Sequence, residues 1–429
     1  MRRAATGQYS NGARIIRQEK KRMRHVLVIG GGASGLMAAI TAARAGARVT
    51  LLERNKQVGK KLLVTGNGRC NLSNCDQELS HYRGSTPEFV RTAMGVFGLS
   101  ETLRFFQDLG IVIRDRNGYL YPYSDQASAV VDVLRMEAER RKVKLALNTK
   151  VDRISTDGGR FFAETPGWTY EGDALILAAG SCAAPQTGSD GSGYDLAKSV
   201  GHSVIKPLPA LVQLRSKDPA FPKLKGLRME AHAALFSGKE LLAEDTGEVQ
   251  FTEYGLSGIP IFQVSRYGVR ALEQGKEVCV VLNLMPFLKK EEAAAFFEER
   301  IERGAYKSTS QLLVGLFPKN MIDCLLKKAG IPGGKEAKGL ADKERRSLTE
   351  ACTSFKVKIS ASNGFDRAQV CCGGVDTKEV EPKTMESKRM RGLYFAGELL
   401  DIDGACGGYN LQWAWTSGYL AGLHSALDS

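Results

Sequence analysis

Long hydrophobic runs are missing from this 429-residue chain. None approaches the roughly 20 apolar residues that span a bilayer, and residues 1–24 lack the apolar stretch of a secretory leader. A membrane span is not expected, and a cytoplasmic location is. Histidine is scarce, with five in all, and the nine cysteines are odd in number, scattered, and without a C-x-x-C pair. Neither a metal site nor a disulfide framework is supported by that pattern. Acidic residues are outnumbered, 47 Asp and Glu against 60 Lys and Arg, for a net charge of +13. So basic a balance raises nucleic acid, an anionic membrane or an acidic ligand as partner. Its distribution weakens that reading. Eight of the bases and only Glu19 among the acids fall in residues 1–24, so this segment holds +7 and the remaining chain +6. The segment lacks apolar periodicity and is expected to be a disordered extension, with Met23 an alternative start.

Hydrophobic residues at 43% and charged residues at 25% are those of globular protein, with length for two or three domains. From His25 the sequence HVLVIGGGASGLMAAITAARAGARVTLLER follows the order of a β-α-β unit. Val26–Ile29 reads as a buried parallel strand, Leu36–Ala45 as a helix closed by Gly46, and Val49–Leu52 as a second strand ending at Glu53. Between strand and helix stand Gly30, Gly32 and Gly35. The first suits a tight turn, the second a close approach of backbone to a pyrophosphate, and the third close packing of helix on strand. The helix N-terminus, with Ala33 and Ser34 in its first turn, offers amide groups to phosphates. Glu53 is placed to accept from a ribose, and Glu53-Arg54 in place of an Asp leans toward FAD over NAD.

The loop Gln57–Asn74 follows. Gly59, Gly66 and Gly68 punctuate it, and Lys60, Lys61 and Arg69 add cations where a second phosphate or a flavin edge would lie. Cys70 and Cys75, separated by four residues, resemble the redox pair of the pyridine nucleotide-disulfide reductases. Against that role stand the absence of a second G-x-G-x-x-G, of a C-terminal His-x4-Glu, and of a glycine between the cysteines. Cys371-Cys372 reads as core packing. Further on, Ala146–Ile154 reads as a strand with Val151 against an adenine ring, and Gly172–Gly180 as a strand whose small end residues, Ala178 and Gly180, admit a dinucleotide. Near the C-terminus Leu393–Ala396 is a strand leading to Gly397-Glu398. Asp403 and a Gly404/Gly407/Gly408 turn come next, and an amphipathic helix is expected from Asn410. Glu398 can accept from ribityl hydroxyls. The amides at Gly408, Asn410 and Leu411 can face the part of a flavin that gains negative charge on reduction.

Together these blocks resemble the BaiN-like family of bacterial flavoproteins, which includes a bile-acid 7-dehydroxylation reductase and is also labelled aminoacetone oxidase-like or NAD(P)/FAD-dependent oxidoreductase. The resemblance rests on Gly30-x-Gly32-x-x-Gly35, on Gly59-Lys60-Lys61-Leu62 through Gly66-Asn67-Gly68-Arg69-Cys70-Asn71, and on Gly397-Glu398 through Gly407-Gly408-Tyr409-Asn410-Leu411-Gln412. It covers the chain from residue 25 and adds Asn71 to the cofactor contacts. What it implies is an α/β fold: a Rossmann-like FAD-binding domain with an inserted mostly-β domain and a small helical subdomain. The FAD domain would comprise 25–205 and 355–429. The β insert would be 206–287 with a returning strand near 352–372, and the helical piece 288–350. Pro207 and Pro209 mark a linker, and KKEEAAAFFEERIERG, SQLLVGLF and NMIDCLLKKAG read as helices. Thr252–Pro260, a glycine-rich turn, resembles a family motif facing the flavin, so Tyr254 or Ser257 would line a substrate pocket.

The expected reaction is reduction of a C=C bond conjugated to a ketone, by hydride from flavin N5, with NAD(P)H as transient reductant. The resemblance implies a 3-oxo-Δ4 or Δ4,6 bile acid as substrate. Tyr254, Tyr409 and Arg69 are the candidate proton donors. Two alternatives stand beside this: a flavin oxidase of a small amine, releasing hydrogen peroxide, and an RNA-binding or RNA-modifying flavoprotein. No RNA-binding motif or aromatic-basic interleaving accompanies the charge, so nucleic acid is not the expected partner.

Overall fold

In a computed structural model, residues 23–289 and 291–427 are described. The basic extension expected over residues 1–24 lies, as far as residue 22, outside the described residues. Five short parallel strands form the central sheet, in the order Leu393–Phe395, Ala174–Leu177, His25–Ile29, Arg48–Leu52 and Lys144–Ala146. Val26, Leu27 and Val28 are wholly buried, as a middle strand covered on both faces requires. The sheet thus draws on both ends of the chain: the strand at 393–395 closes the edge beside Ala174–Leu177.

Two helices tie the halves together. The first, Ala33–Arg44, packs along the last, Tyr409–Ala426. At the crossing the backbones touch: a Cβ on Gly418 would fall 2.4 Å from the Ser34 carbonyl oxygen, and one on Gly422 2.3 Å from that of Ala38. The last helix is not amphipathic as expected from its sequence. Trp413, Trp415, Thr416, Ser417, Leu420 and Ala421 are all buried, because the helices Pro87–Met94 and Leu99–Asp108 cover the face that would otherwise meet water. Its polar groups bond internally, with Trp415 Nε1 donating to Leu72 O at 3.0 Å and Gln412 Nε2 to Thr102 Oγ1 at 2.9 Å.

Ala146–Ile154 is not one continuous strand. Two strands, Lys144–Ala146 and Arg153–Asp157, replace the single one expected. Asn148 adopts a left-handed φ of 52°, which breaks the run. The intervening loop is instead held by the second strand's end: Asn148 N donates to Asn55 O and Thr149 N to Glu53 O.

Glu137, on the helix Ala127–Arg140, joins that helix to the first one. Its side chain is only 4% exposed and receives Arg44 at 2.9 Å, Arg140 at 2.7 Å and Arg141 at 3.0 Å. Burial would raise its pKa, but the hydrogen bonds from Arg140, Arg44 and Arg141 hold it down at about 2. A carboxyl lowered in the folded state stabilises at pH above its unfolded value near 4.5, and the contribution disappears as pH falls toward about 2. With the arginines partly exposed, on the order of 2 kcal/mol is at stake. Glu137→Gln should therefore lower stability at pH 7 and leave it nearly unchanged at the acid end, as read from denaturation midpoints across that window.

The chain leaves and re-enters the parallel-sheet region through a two-stranded ribbon, Val204–Ala210 against Val370–Val375. Cys371 and Cys372 are buried within it. Between its strands lies a seven-stranded antiparallel sheet in the order Phe355–Ile359, Val278–Asn283, Arg228–Ser237, Glu240–Thr252, Gly255–Gly258, Leu214–Arg215 and Ala361–Ser362. Helices Ala293–Arg303, Thr309–Leu313, Lys319–Ala329 and Asp342–Thr353 share one apolar cluster with this sheet, which holds Phe297, Leu313 and Leu325 together with Val280, Leu282 and Phe355. No helix among the described residues is long and apolar enough to cross a membrane.

Candidate active site

A cavity of about 780 Å³ runs past the C-terminal ends of the parallel strands, touching Ile29, Leu52 and Ala178. That is the crevice where open α/β sheets bind ligands, and the volume is in the range of cofactor pockets. At one end Glu53, 7% exposed, accepts from Gly31 N at 2.7 Å, Asn55 N at 2.7 Å and Asn55 Nδ2 at 2.6 Å. The three fingerprint glycines are required for two different reasons. A Cβ on Gly30 would fall 2.3 Å from Ala178 O, and one on Gly35 1.9 Å from Gly30 O, so both are demanded by backbone packing. A Cβ on Gly32 would meet nothing within 4 Å; it would stand in the open cavity.

Gly32 caps the first helix without any side-chain hydrogen bond, so its first-turn amides are left for a ligand. Gly408 does the same for the last helix. Asn71 Oδ1 is a buried acceptor with no partner, on a residue lining the cavity. Two uncapped helix ends, an acid at the second strand's end, and an orphaned amide oxygen fit an extended dinucleotide such as FAD. Among the described residues, no group of three or more His, Cys, Asp or Glu is arranged to hold a metal.

Of the residues singled out by sequence, Gly30, Gly32, Ala33, Ser34, Glu53, Arg54, Lys60, Lys61, Gly66, Asn71, Val151, Ala178, Gly180, Glu398, Gly408, Asn410 and Leu411 line this one cavity. Several have partners that sequence did not suggest. Lys61 Nζ donates to Glu398 Oε2 at 2.6 Å and to Ala183 O at 3.1 Å, and Ser181 Oγ donates to the same Glu398 oxygen at 2.8 Å. Lys61 is thus neutralised by a carboxylate. Arg54 pairs with Asp190. Asn410 bridges its turn, accepting from Gly404 N at 2.8 Å and donating to Gly404 O at 2.9 Å.

Others lie elsewhere. Gly35 and Gly397 are packing positions; Gly397 N donates to Ser417 Oγ at 2.9 Å, and its carbonyl accepts from Trp413 Nε1. Gly68 and Arg69 are exposed outside the lining. Asp403 is 2% exposed and forms a two-pronged pair with Arg266, at 3.0 and 2.8 Å, so it is committed to the helix Ile259–Glu273. Tyr409 stacks on His81, with ring centroids 4.5 Å apart, behind the cavity wall. Tyr254 lies at a hairpin end under the Arg215 guanidinium, and Ser257 is a buried strand residue. Neither faces the cavity, because Gly255–Gly258 continues the inserted sheet instead of forming an open turn. Cys70 is buried, its thiol pushed up to about 12 by burial, while Cys75 lies exposed beside Asp115.

The lining includes residues that motif reading passes over: Tyr119, Tyr121 and Cys406 at the Gly408 end, and Gln213, Ile259, Arg367 and Gln369 from the insert side. For the tyrosines a signal exists. Tyr119-Leu120-Tyr121 alternates about a buried Leu120, which puts both rings on the opposite face of the strand Tyr119–Pro122.

The profile of the HI0933-like protein Rossmann domain matches residues 24–424. A 3-dehydro-bile acid delta(4,6)-reductase of Clostridium scindens is 45% identical over 406 residues, 94% of this chain and 99% of that protein. A ribosomal RNA dihydrouridine synthase of Escherichia coli is 30% identical over 396 residues, 92% of this chain and 96% of that protein. Among solved structures, a 3-ketosteroid-Δ4-(5α)-dehydrogenase of Rhodococcus jostii RHA1 aligns at 17% identity and a TM-score of 0.47, over 96% of this chain and 99% of that one.

Proposed function

The chain belongs to the HI0933-like Rossmann family, and from that premise we propose that it is an FAD-dependent oxidoreductase that saturates a C=C bond conjugated to a carbonyl, with a 3-oxo-Δ4 or Δ4,6 steroid acid as substrate. The single observation that carries the reading is the cavity itself, in which the open Gly32 position and two uncapped helix ends adjoin a ring-lined end at Tyr119 and Tyr121. Gly32 and the first-turn amides would hold the pyrophosphate, Glu53 the adenosine ribose, and Asn71 with the Gly408–Leu411 amides the ring system. When bound, FAD supplies the hydride. The chain's own contribution is to orient the substrate carbonyl, keep water out, and deliver a proton. NAD(P)H is the proposed reductant, binding transiently at the same face.

The 45% identity to a bile-acid delta(4,6)-reductase over nearly the full length supports the steroid substrate. A second reading has its own support. Two relatives, from Escherichia coli and Haemophilus influenzae, are ribosomal RNA dihydrouridine synthases at 30% identity. Saturation of uracil C5=C6, conjugated to C4=O, is the same chemistry on a different carrier.

The purified holoprotein distinguishes them. Anaerobic mixing with NADH and with NADPH should bleach the flavin, and no bleaching with either removes the nicotinamide. The bleached protein should then be reoxidised by a 3-oxo-Δ4,6 steroid acid. Reoxidation by a uridine-containing ribosomal RNA transcript instead, weakening steeply with salt, would transfer the assignment to RNA. Hydrogen peroxide release from a small amine without either acceptor would mark an oxidase.

A further inference from the structure

The reductase reading leaves the proton donor open, and the cavity holds three protic side chains at one end that no other role uses: Tyr119, Tyr121 and Cys406. A Cβ on Gly407 would lie 3.0 Å from the Tyr119 ring, and one on Gly66 3.5 Å from the Tyr121 ring. Tyr119 therefore packs on the turn before the last helix, and Tyr121 stands over the Gly66 loop.

Their surroundings separate them. The Arg116 guanidinium, itself paired with Asp125, lies 5.6 Å from the centroid of the Tyr121 ring, and the charge of Arg69, on the exposed loop that follows Gly66, also acts to lower the same phenol. Cys406 and Tyr119 also face it and act in the opposite sense. At Tyr119 the charged neighbours that act are Cys406 and Asp245, and both push the phenol upward. Burial raises both phenols, and Arg69 and Arg116 offset it at Tyr121 alone. Burial, reinforced by Asp245, holds the Cys406 thiol up at about 11. An acid catalyst must be protonated at working pH and must leave a conjugate base that its site tolerates. Only Tyr121 has cations beside it to receive the negative charge.

We propose that Tyr121 is the acid that protonates the substrate as its conjugated double bond is saturated, with Arg69 and Arg116 as positioning residues for the phenolate left behind. Two electrons reach the β-carbon as hydride from reduced FAD, and the π pair moves toward the carbonyl. A C–H bond then forms at the α-carbon while the Tyr121 O–H bond breaks, and the phenolate recovers a proton from water. The proposal rests on the reductase reading.

The test compares wild-type holoprotein with Tyr121→Phe, Tyr119→Phe and Arg69→Gln. In Tyr121→Phe, flavin content, anaerobic flavin reduction and the spectral shift on binding the unsaturated substrate should stay within about twofold. Reoxidation by substrate should slow by roughly 100- to 1,000-fold, and Tyr119→Phe should slow it by less than about tenfold. A second readout needs no turnover. Difference titration of phenolate absorption in the flavin-free protein should show one phenol, missing in Tyr121→Phe, that ionises at higher pH in Arg69→Gln. Reoxidation of Tyr121→Phe within threefold of wild type, or no shift in Arg69→Gln, overturns the assignment alone. If no unsaturated carbonyl substrate reoxidises wild type, the reductase reading fails and the assignment fails with it.

Discussion

Replacing Gly32 by valine should leave a folded protein that no longer retains flavin. The residue has φ −78° and ψ −167°, extended backbone that any L-amino acid adopts, and no protein atom lies within 4 Å of its missing Cβ. Folding should therefore cost less than about 1 kcal/mol, mostly from a poorer helix cap. The bound dinucleotide has no such freedom. With the pyrophosphate held at Gly32 as proposed, a branched side chain there would overlap it, at about 1–3 kcal/mol of overpacking, and would displace at least one charge-assisted hydrogen bond worth about 1.5–3 kcal/mol. FAD affinity should fall on the order of a thousandfold, read by titrating the flavin-free protein with FAD. Gly35→Ala is the contrast, since its Cβ would sit 1.9 Å from Gly30 O; that variant should lose the fold along with the flavin. Flavin retained by Gly32→Val at wild-type strength would mean that the pyrophosphate does not pass this turn.

Arg266→Met should be among the most destabilising single changes in the chain, at about 3–5 kcal/mol. Arg266 and Asp403 are 9% and 2% exposed, and removing the guanidinium strands a carboxylate with almost no access to water. Burial already pushes the Asp403 carboxyl upward, and Arg266 pulls it back only part of the way. The double change Arg266→Met with Asp403→Leu should recover most of the loss, because a well-packed apolar pair can replace a buried ion pair. Trp413 and Trp415, both buried in the last helix, give the fluorescence signal for chemical denaturation. A single variant within about 1 kcal/mol of wild type would show that water reaches the carboxylate.

The parts of this molecule that sequence makes legible are the ones built from neighbours. The strand at Val26, the glycines at 30, 32 and 35, the helix after them and Glu53 fall within one β-α-β unit, where periodicity and turn chemistry act over a few residues. Glu398, Gly408 and Asn410 were readable for the same reason, and they meet the first unit across the cavity. What escaped depends on partners distant along the chain. Asp403 reads as a cofactor ligand until Arg266, 137 residues away, is found on it. Tyr409 looks exposed to a flavin until His81 is stacked against it. The last helix reads as amphipathic because nothing local announces the two helices that cover it, and Tyr254 reads as a pocket residue because a glycine-rich hairpin and an open turn share a composition.

The backbone contact of Gly418 and Gly422 with the first helix also has a mechanical meaning. Both helix ends that face the cavity belong to a single clamped pair, so neither can swing aside without prising apart two backbones already in contact. The insert is joined to this half by the two strands Val204–Ala210 and Val370–Val375 and by the buried Arg266–Asp403 pair. The molecule is in this sense a vice with one fixed jaw: the clamped helix pair is the anvil, and a wider mouth would require movement across both that ribbon and that ion pair.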